Sequence, residues 1–110
     1  MKKNKYNAKK RTIDGHTFDS SKECMRYLRL KADLQDKKIA NLRLQPKFTL
    51  QEGFTHEGKS IRALTYVADF SYHKDGQFIV EDTKGYRTEV YKIKRKLFLF
   101  KYPEIKFIET

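Results

Sequence analysis

The sequence predicts an α/β domain: a central mixed sheet with flanking helices, in the order helix, three strands, helix, strand. Three observations carry this expectation. Residues 20–36 and 88–101 space apolar side chains three and four apart, as one face of a helix requires. Between them, residues 42–50, 61–72 and 77–84 alternate in polarity or gather β-branched and aromatic residues, as strands do. A chain of 110 residues is long enough for one domain around one core.

The elements follow in order. The first eleven residues, MKKNKYNAKKR, hold six Lys/Arg and no acid, and read as a flexible basic arm; residues 12–110 read as the folded domain. Arg11 to Phe18 reads as a small hairpin turning at Asp14-Gly15. Asp19 and Ser20 suit a helix N-cap, and Ser20-x-x-Glu23 fits a capping box, in which a hydroxyl and a carboxylate satisfy each other's backbone N–H. Along that helix Cys24, Leu28 and Ala32 recur every four positions, with Met25 beside them and Tyr27, Leu30 and Leu34 on a flanking stripe. This is the face expected against the core, with Cys24 a core residue rather than a nucleophile.

Leu42, Leu44, Phe48 and Leu50 alternate as a half-buried strand, although Pro46 within the run demands an edge or a bulge. Gln51-Glu52-Gly53 and His56-Glu57-Gly58-Lys59 mark turns. Ile61 to Tyr72 reads as one long strand, His73 to Gly76 as a tight turn and Gln77 to Lys84 as its hairpin partner, ended by Gly85. The second helix puts Val90, Ile93, Leu97 and Phe100 on the face expected to be buried; Pro103 stops it, and Ile105, Phe107 and Ile108 form a closing strand. His16, His56 and His73 fall in or near turns and share no spacing.

A formal net charge of +11 on one domain implies a polyanionic partner, nucleic acid first; charge used only for solubility is the alternative. No apolar run approaches a membrane span, and none follows the N-terminal cations as a secretory signal would. With Cys24 the only cysteine, an intramolecular disulfide and a Cys-type zinc site are excluded, and a reducing, intracellular compartment is expected.

Chemistry is sought where charge falls on an apolar face. In FIVEDTKG, residues 78–85, side chains alternate, so Phe78, Val80, Asp82 and Lys84 share one side and Ile79, Glu81 and Thr83 the other. Glu81 is therefore expected to be solvated or in contact with the opposite face. Acid-x-Lys occurs four times, at Asp36, Glu57, Asp82 and Glu104, and is weak by itself. Only the Asp82 instance ends an apolar strand whose hairpin neighbour also bears an acid, Asp69. With the turn centred near residues 74–75, Asp69 is expected opposite about residue 80, near enough for the two carboxylates to share an opening. Two such anions repel and call for a cation between them; hard oxygen donors suit Mg²⁺ or Mn²⁺.

Glu23 on a first helix, Asp69 on the second strand and Asp82-x-Lys84 on the third resemble the PD-(D/E)xK nuclease superfamily, whose restriction-endonuclease-like core has this same element order. More narrowly, the blocks IDGHTFDSSKE, LQPKF, YVADF and VEDTKG, with a basic helix and YPEIKFIE at the end, resemble small phage proteins of that superfamily likened to phage junction-resolving endonucleases. The resemblance spans Thr12 to Glu109; its one departure is Ala68-Asp69 in place of Pro-Asp.

What the resemblance implies is a metal-dependent DNA endonuclease, in the form of a Holliday-junction or branched-DNA resolvase, in the cytoplasm of a phage-infected or prophage-carrying bacterium. It implies that Asp69 and Asp82 bind Mg²⁺ (or Mn²⁺), with the Thr83 carbonyl a further ligand and Glu23 supporting a metal or its waters. Glu23 is explained equally by the helix cap. Lys84 would orient or help deprotonate the attacking water, or stabilise charge on the phosphate. Lys92, Arg95 and Lys96 would face the DNA backbone, or simply form a solvated surface. Lys9, Lys10 and Arg11 of the arm would lie along phosphates. Gln45 would touch the scissile phosphate or bond to backbone. Two symmetric cuts need two sites, so a resolvase would be a homodimer, with only the early hairpin suggesting a seam. The rivals are a non-catalytic basic DNA-binding protein, with structural acids, and a nuclease of restriction or end-processing type.

Overall fold

The computed structural model describes residues 10–83 and 87–110. Its elements are β1 (Arg11–Ile13), β2 (His16–Phe18), α1 (Ser21–Gln35), β3 (Ala40–Leu44), β4 (Lys47–Gln51), β5 (Phe54–His56), β6 (Lys59–Ile61), β7 (Leu64–Val67), β8 (Phe70–Lys74), β9 (Gln77–Asp82), α2 (Glu89–Lys101) and β10 (Lys106–Glu109). The class is α/β, rich in strands. A four-stranded sheet in the order β10-β9-β8-β3 forms the centre, with β10 parallel to β9 and the other pairs antiparallel, so the sheet is mixed. Arg11, placed in the arm by composition, pairs with Phe18 in the β1–β2 hairpin.

The two long strands expected over 42–50 and 61–72 are each broken, and at the same level. β3 gives way to β4 at Gln45-Pro46, and β7 to β8 at Ala68-Asp69. The register does not slip across this break: Leu44 faces Phe70 on one side, and Lys47 faces Val67 on the other. Two backbone bonds span it, Gln45 N–H to the Asp69 carbonyl at 2.9 Å and Ala68 N–H to the Pro46 carbonyl at 3.1 Å. Pro46 lacks an N–H and Gln45 takes φ of +52°, so the ribbon bends here instead of running on. Beyond Gln51 the ribbon continues as β5 and β6, reversing at Glu57-Gly58 with φ of 48° and 77°. Gln51-Glu52-Gly53 is therefore an irregularity along one arm of the ribbon and does not reverse the chain.

β9 lies between two apolar clusters. Ile79 packs with Phe70 and Tyr72 against Phe18, Ile39 and the α1 residues Cys24, Tyr27 and Leu30. Val80 packs with Leu50, Tyr66 and Ala68 against Tyr91 and Phe98 of α2. The helices thus cover opposite faces of the sheet. Each fully buried ring, such as Phe18, Phe70 or Phe98, contributes roughly 1.5–3 kcal/mol.

α1 buries part of the face its spacing predicts, including Cys24 as expected, and α2 buries a different one. In α1 the buried set is Glu23, Cys24, Tyr27 and Leu30, while Met25, Leu28, Ala32 and Leu34 are exposed. In α2 Tyr91 and Phe98 are buried, while Val90, Ile93, Leu97 and Phe100 are exposed. Aromatic area and a satisfied hydroxyl decide both cases. The Tyr27 hydroxyl donates to Asp14 at 2.8 Å, and the Tyr91 hydroxyl donates to Glu109 at 2.6 Å.

Glu81 is wholly buried beneath α1, which excludes the solvated alternative. Both carboxylate oxygens accept from the Arg26 guanidinium, through Nε and, at 2.8 Å, through Nη2; the Tyr72 hydroxyl adds a third bond at 2.8 Å. Burial, then the hydrogen bond to Glu81, pushes the Tyr72 hydroxyl up to about 12. The Glu81 hydrogen bonds raise the Arg26 pKa further above its ordinary value.

Glu109 ties β10 to α2. Beyond Tyr91 it accepts from Arg95 Nε at 3.0 Å and lies 3.6 Å from Arg87. Burial acts to raise its carboxyl, but the Tyr91 and Arg95 hydrogen bonds outweigh this and hold it below its ordinary 4.5. A lowered folded pKa means stabilisation that is present above 4.5 and lost as pH falls through the folded value. Thermal melts should therefore show the wild type losing stability in acid more steeply than Glu109→Gln, which lacks the titrating group.

Candidate functional site

The site is set by where the β8–β9 hairpin turns. Asp75 and Gly76 take φ of 51° and 76°, and Lys74 pairs with Gln77, which makes a two-residue turn matched to the strand twist. The reversal lies one residue later than the sequence suggests. Phe70 consequently faces Glu81, the last pair of the ladder, so Asp69, one residue beyond it, lies toward Asp82 and not opposite residue 80. The correction draws the two acids closer.

Each acid is held by named donors. Oδ2 of Asp69 accepts from both the backbone N–H and the hydroxyl of Thr83, at 2.6 Å each. Asp82 has no exposed surface, and its Oδ2 accepts from the Tyr66 hydroxyl. Burial, and then the charge of Asp82, raise the Tyr66 hydroxyl pKa well above its ordinary value, so it stays protonated as a donor. The Asp82 carbonyl accepts from Thr110 N–H at 2.9 Å, which clamps this end of β9 between its neighbours.

Gln45 adjoins Asp69 through the backbone, and Glu23 shares a cavity with Gln45. Glu23 sits buried in the first turn of α1, where its N–H donates to Ser20 Oγ at 3.1 Å, as an N-cap requires. It lines a cavity of about 360 Å³ together with Gly15, His16, Thr17, Phe18, Leu44 and Gln45. Gln45 connects cavity and acids, because its N–H donates to the Asp69 carbonyl. Its left-handed backbone is a strained conformation for a non-glycine residue.

The cations called from sequence divide. Lys92 and Lys96 are exposed, Lys92 within 3.2 Å of Glu89. Arg95 turns instead onto Glu109, with its guanidinium 5.7 Å from the centroid of the Phe107 ring. Lys10 is exposed, and Arg11 Nε donates to Ser21 Oγ at 3.3 Å. Lys9 and Lys84 lie outside the described residues. Among the described residues, no three His, Cys, Asp or Glu side chains gather in a way that could hold a metal ion.

Sequence reasoning missed Tyr66 and the side-chain role of Thr83. Tyr66 opens the YVADF block, but in an apolar alternation a tyrosine reads as core, and its hydroxyl partner lies on another strand. Thr83 entered only through its carbonyl, whereas its N–H and hydroxyl are what orient Asp69.

No described helix is long and apolar enough to cross a membrane. No curated protein and no solved structure is detectably similar to the chain. One family does match, over residues 3–109, and the chain belongs to it: the family described as protein of unknown function (DUF1064).

Proposed function

We propose that the protein is a metal-dependent DNA endonuclease with a restriction-endonuclease-like core, of the branched-DNA-resolving kind. The observation that carries the reading is the placement of Asp69 and Asp82 one step beyond the Phe70–Glu81 pair that ends the β8–β9 ladder, each fixed by its own hydroxyl donor. Holding two carboxylates together is costly, and a bound cation would offset that cost.

The donor set fits Mg²⁺ or Mn²⁺. Two aspartates and the Thr83 carbonyl are hard oxygen ligands, and Mg²⁺ uses one or two carboxylates with waters and phosphate oxygens completing its shell. When bound, such an ion activates a water and neutralises charge on the phosphate. The protein's own groups prepare the site. Thr83 fixes the Asp69 carboxylate, and Tyr66 keeps its proton while bonding the Asp82 carboxylate. Glu23 and Gln45 line the adjoining cavity, where they would position water or phosphate. Lys84 is assigned the attacking water or the phosphate charge. Lys9, Lys10, Lys92 and Lys96 supply phosphate contacts along the strand, with Arg11 and Arg95 steadying the surfaces beside them.

Labelled linear, nicked, branched and single-stranded DNA, each with Mg²⁺ and with EDTA, test the reading. Cleavage is expected with Mg²⁺ and none with EDTA. Binding without cleavage of any substrate would leave a basic DNA-binding module. In either case affinity measured by fluorescence anisotropy should fall by roughly a decade or more per fourfold rise in salt, as counterions are released from several phosphates. A flat salt response would remove the polyanion from the argument.

A further inference from the structure

The cavity lined by Glu23 and Gln45 is larger than a water or a phosphate requires. At about 360 Å³ it has room for about a dozen waters at roughly 30 Å³ each, and it falls in the size range of small-molecule sites. Its lining is graded. Phe18 and Glu23 are only 2 and 7 % exposed and form the floor, Leu44 is half-buried, and His16 and Gln45 stand exposed at the rim. The His16 ring is held by Tyr27, edge-on with 5.9 Å between centroids, and by Phe18 at 6.4 Å. Gln45 keeps a φ of +52° at the rim, and strain of that kind collects at ligand sites.

We infer that this cavity receives one unpaired nucleobase of a bound DNA strand. The inference rests on the DNA reading above and adds to it a pocket that reads a base. A flat ring can lie against His16, Phe18 and Leu44, as bases lie on aromatic and apolar side chains. The buried carboxylate selects the edge. Glu23 accepts hydrogen bonds and repels anions, so the floor favours the N–H groups of a base over a phosphate. Phosphate is left to the mouth, at Gln45, whose N–H reaches the Asp69 carbonyl. Cytosine, adenine and guanine each offer an exocyclic amine to such a carboxylate. Thymine offers its one N–H between two carbonyl oxygens, and is disfavoured. Extrusion costs least where a base already lacks its partner, as at a bulge or branch point.

Binding in EDTA tests the pocket apart from catalysis. Duplexes with one bulged nucleotide, carrying C, A, G, T or an abasic sugar, are titrated with the full chain and followed by fluorescence anisotropy. The C, A and G bulges should bind about tenfold tighter than the abasic one, with T close to abasic. His16→Ala, at an exposed position, should narrow that gap to about twofold with unchanged far-UV circular dichroism. Glu23→Gln, whose amide donates as well as accepts, should admit T with the other three. Equal affinity for abasic and base-bearing bulges overturns the inference, as does a penalty on T that survives Glu23→Gln. Displacement of the bulged duplex by micromolar deoxycytidine monophosphate would assign the cavity to a free nucleotide and overturn it too. Base preference in a chain that cuts no DNA with Mg²⁺ would keep the pocket and remove the nuclease; cutting without base preference would do the reverse. Failure to bind any DNA would remove both.

Discussion

Asp82→Asn should slow DNA cleavage by about a thousandfold or more while leaving the fold as stable as before, or more so. The substitution keeps the shape and a carbonyl acceptor for Tyr66, and removes only the charge. That charge has no exposed surface, so its loss relieves a desolvation cost and the melting temperature should hold or rise. Asp69→Asn should behave alike in catalysis, with Thr83 still able to donate to the amide oxygen. DNA binding should persist or tighten in both, because an anion beside the phosphate is gone. Cleavage rate, DNA anisotropy and melting temperature measured on one preparation separate a catalytic acid from a structural one. Undiminished nicking by both variants would remove the site assignment.

Arg26→Met should lower folding stability by about 3 kcal/mol, a large fraction of what a domain of this size possesses. Methionine fills similar volume, so packing changes little and the main loss is the bidentate partner of Glu81. That carboxylate would remain fully buried with the neutral Tyr72 hydroxyl as its remaining donor among these three groups. The Arg26 side chain is 30 % exposed, so some water reaches the pair and the cost falls at the low end of the range for broken buried ion pairs. Adding Glu81→Leu should recover much of the loss, since no orphaned charge remains. Urea denaturation of the four-member cycle gives the coupling directly. A deficit within the half kcal/mol or so expected of an exposed pair such as Lys92–Glu89 would show that Glu81 finds solvent after all.

What was legible in the sequence was what is decided locally. Ser20 caps α1 through a side chain that accepts the N–H three residues on, and Asp14-Gly15 turns as its residue types require. The class and both helices follow from such signals. The α1 face followed in part, through Cys24, Tyr27 and Leu30, but the α2 face did not, because Tyr91 is buried only once Glu109 arrives from β10 to accept from it. Pro46 announced a break in its own strand, but nothing local announces the matching break at Ala68-Asp69, which is imposed across the ladder. The acid pair was legible as a pair. Its alignment was off by two residues along the partner strand, because the hairpin could have turned around either of two adjacent residue pairs.

The bend at Gln45-Pro46 and Ala68-Asp69 works like an elbow: register is preserved through it while direction changes. Asp69 belongs to the joint itself and not to either forearm. Residues added or removed around Glu57-Gly58 would lengthen or shorten the distal segment outward, and leave the spacing between the joint and Asp82 untouched. The tip is thus free to diversify among descendants of this chain, while the chemistry at its base stays insulated from the change.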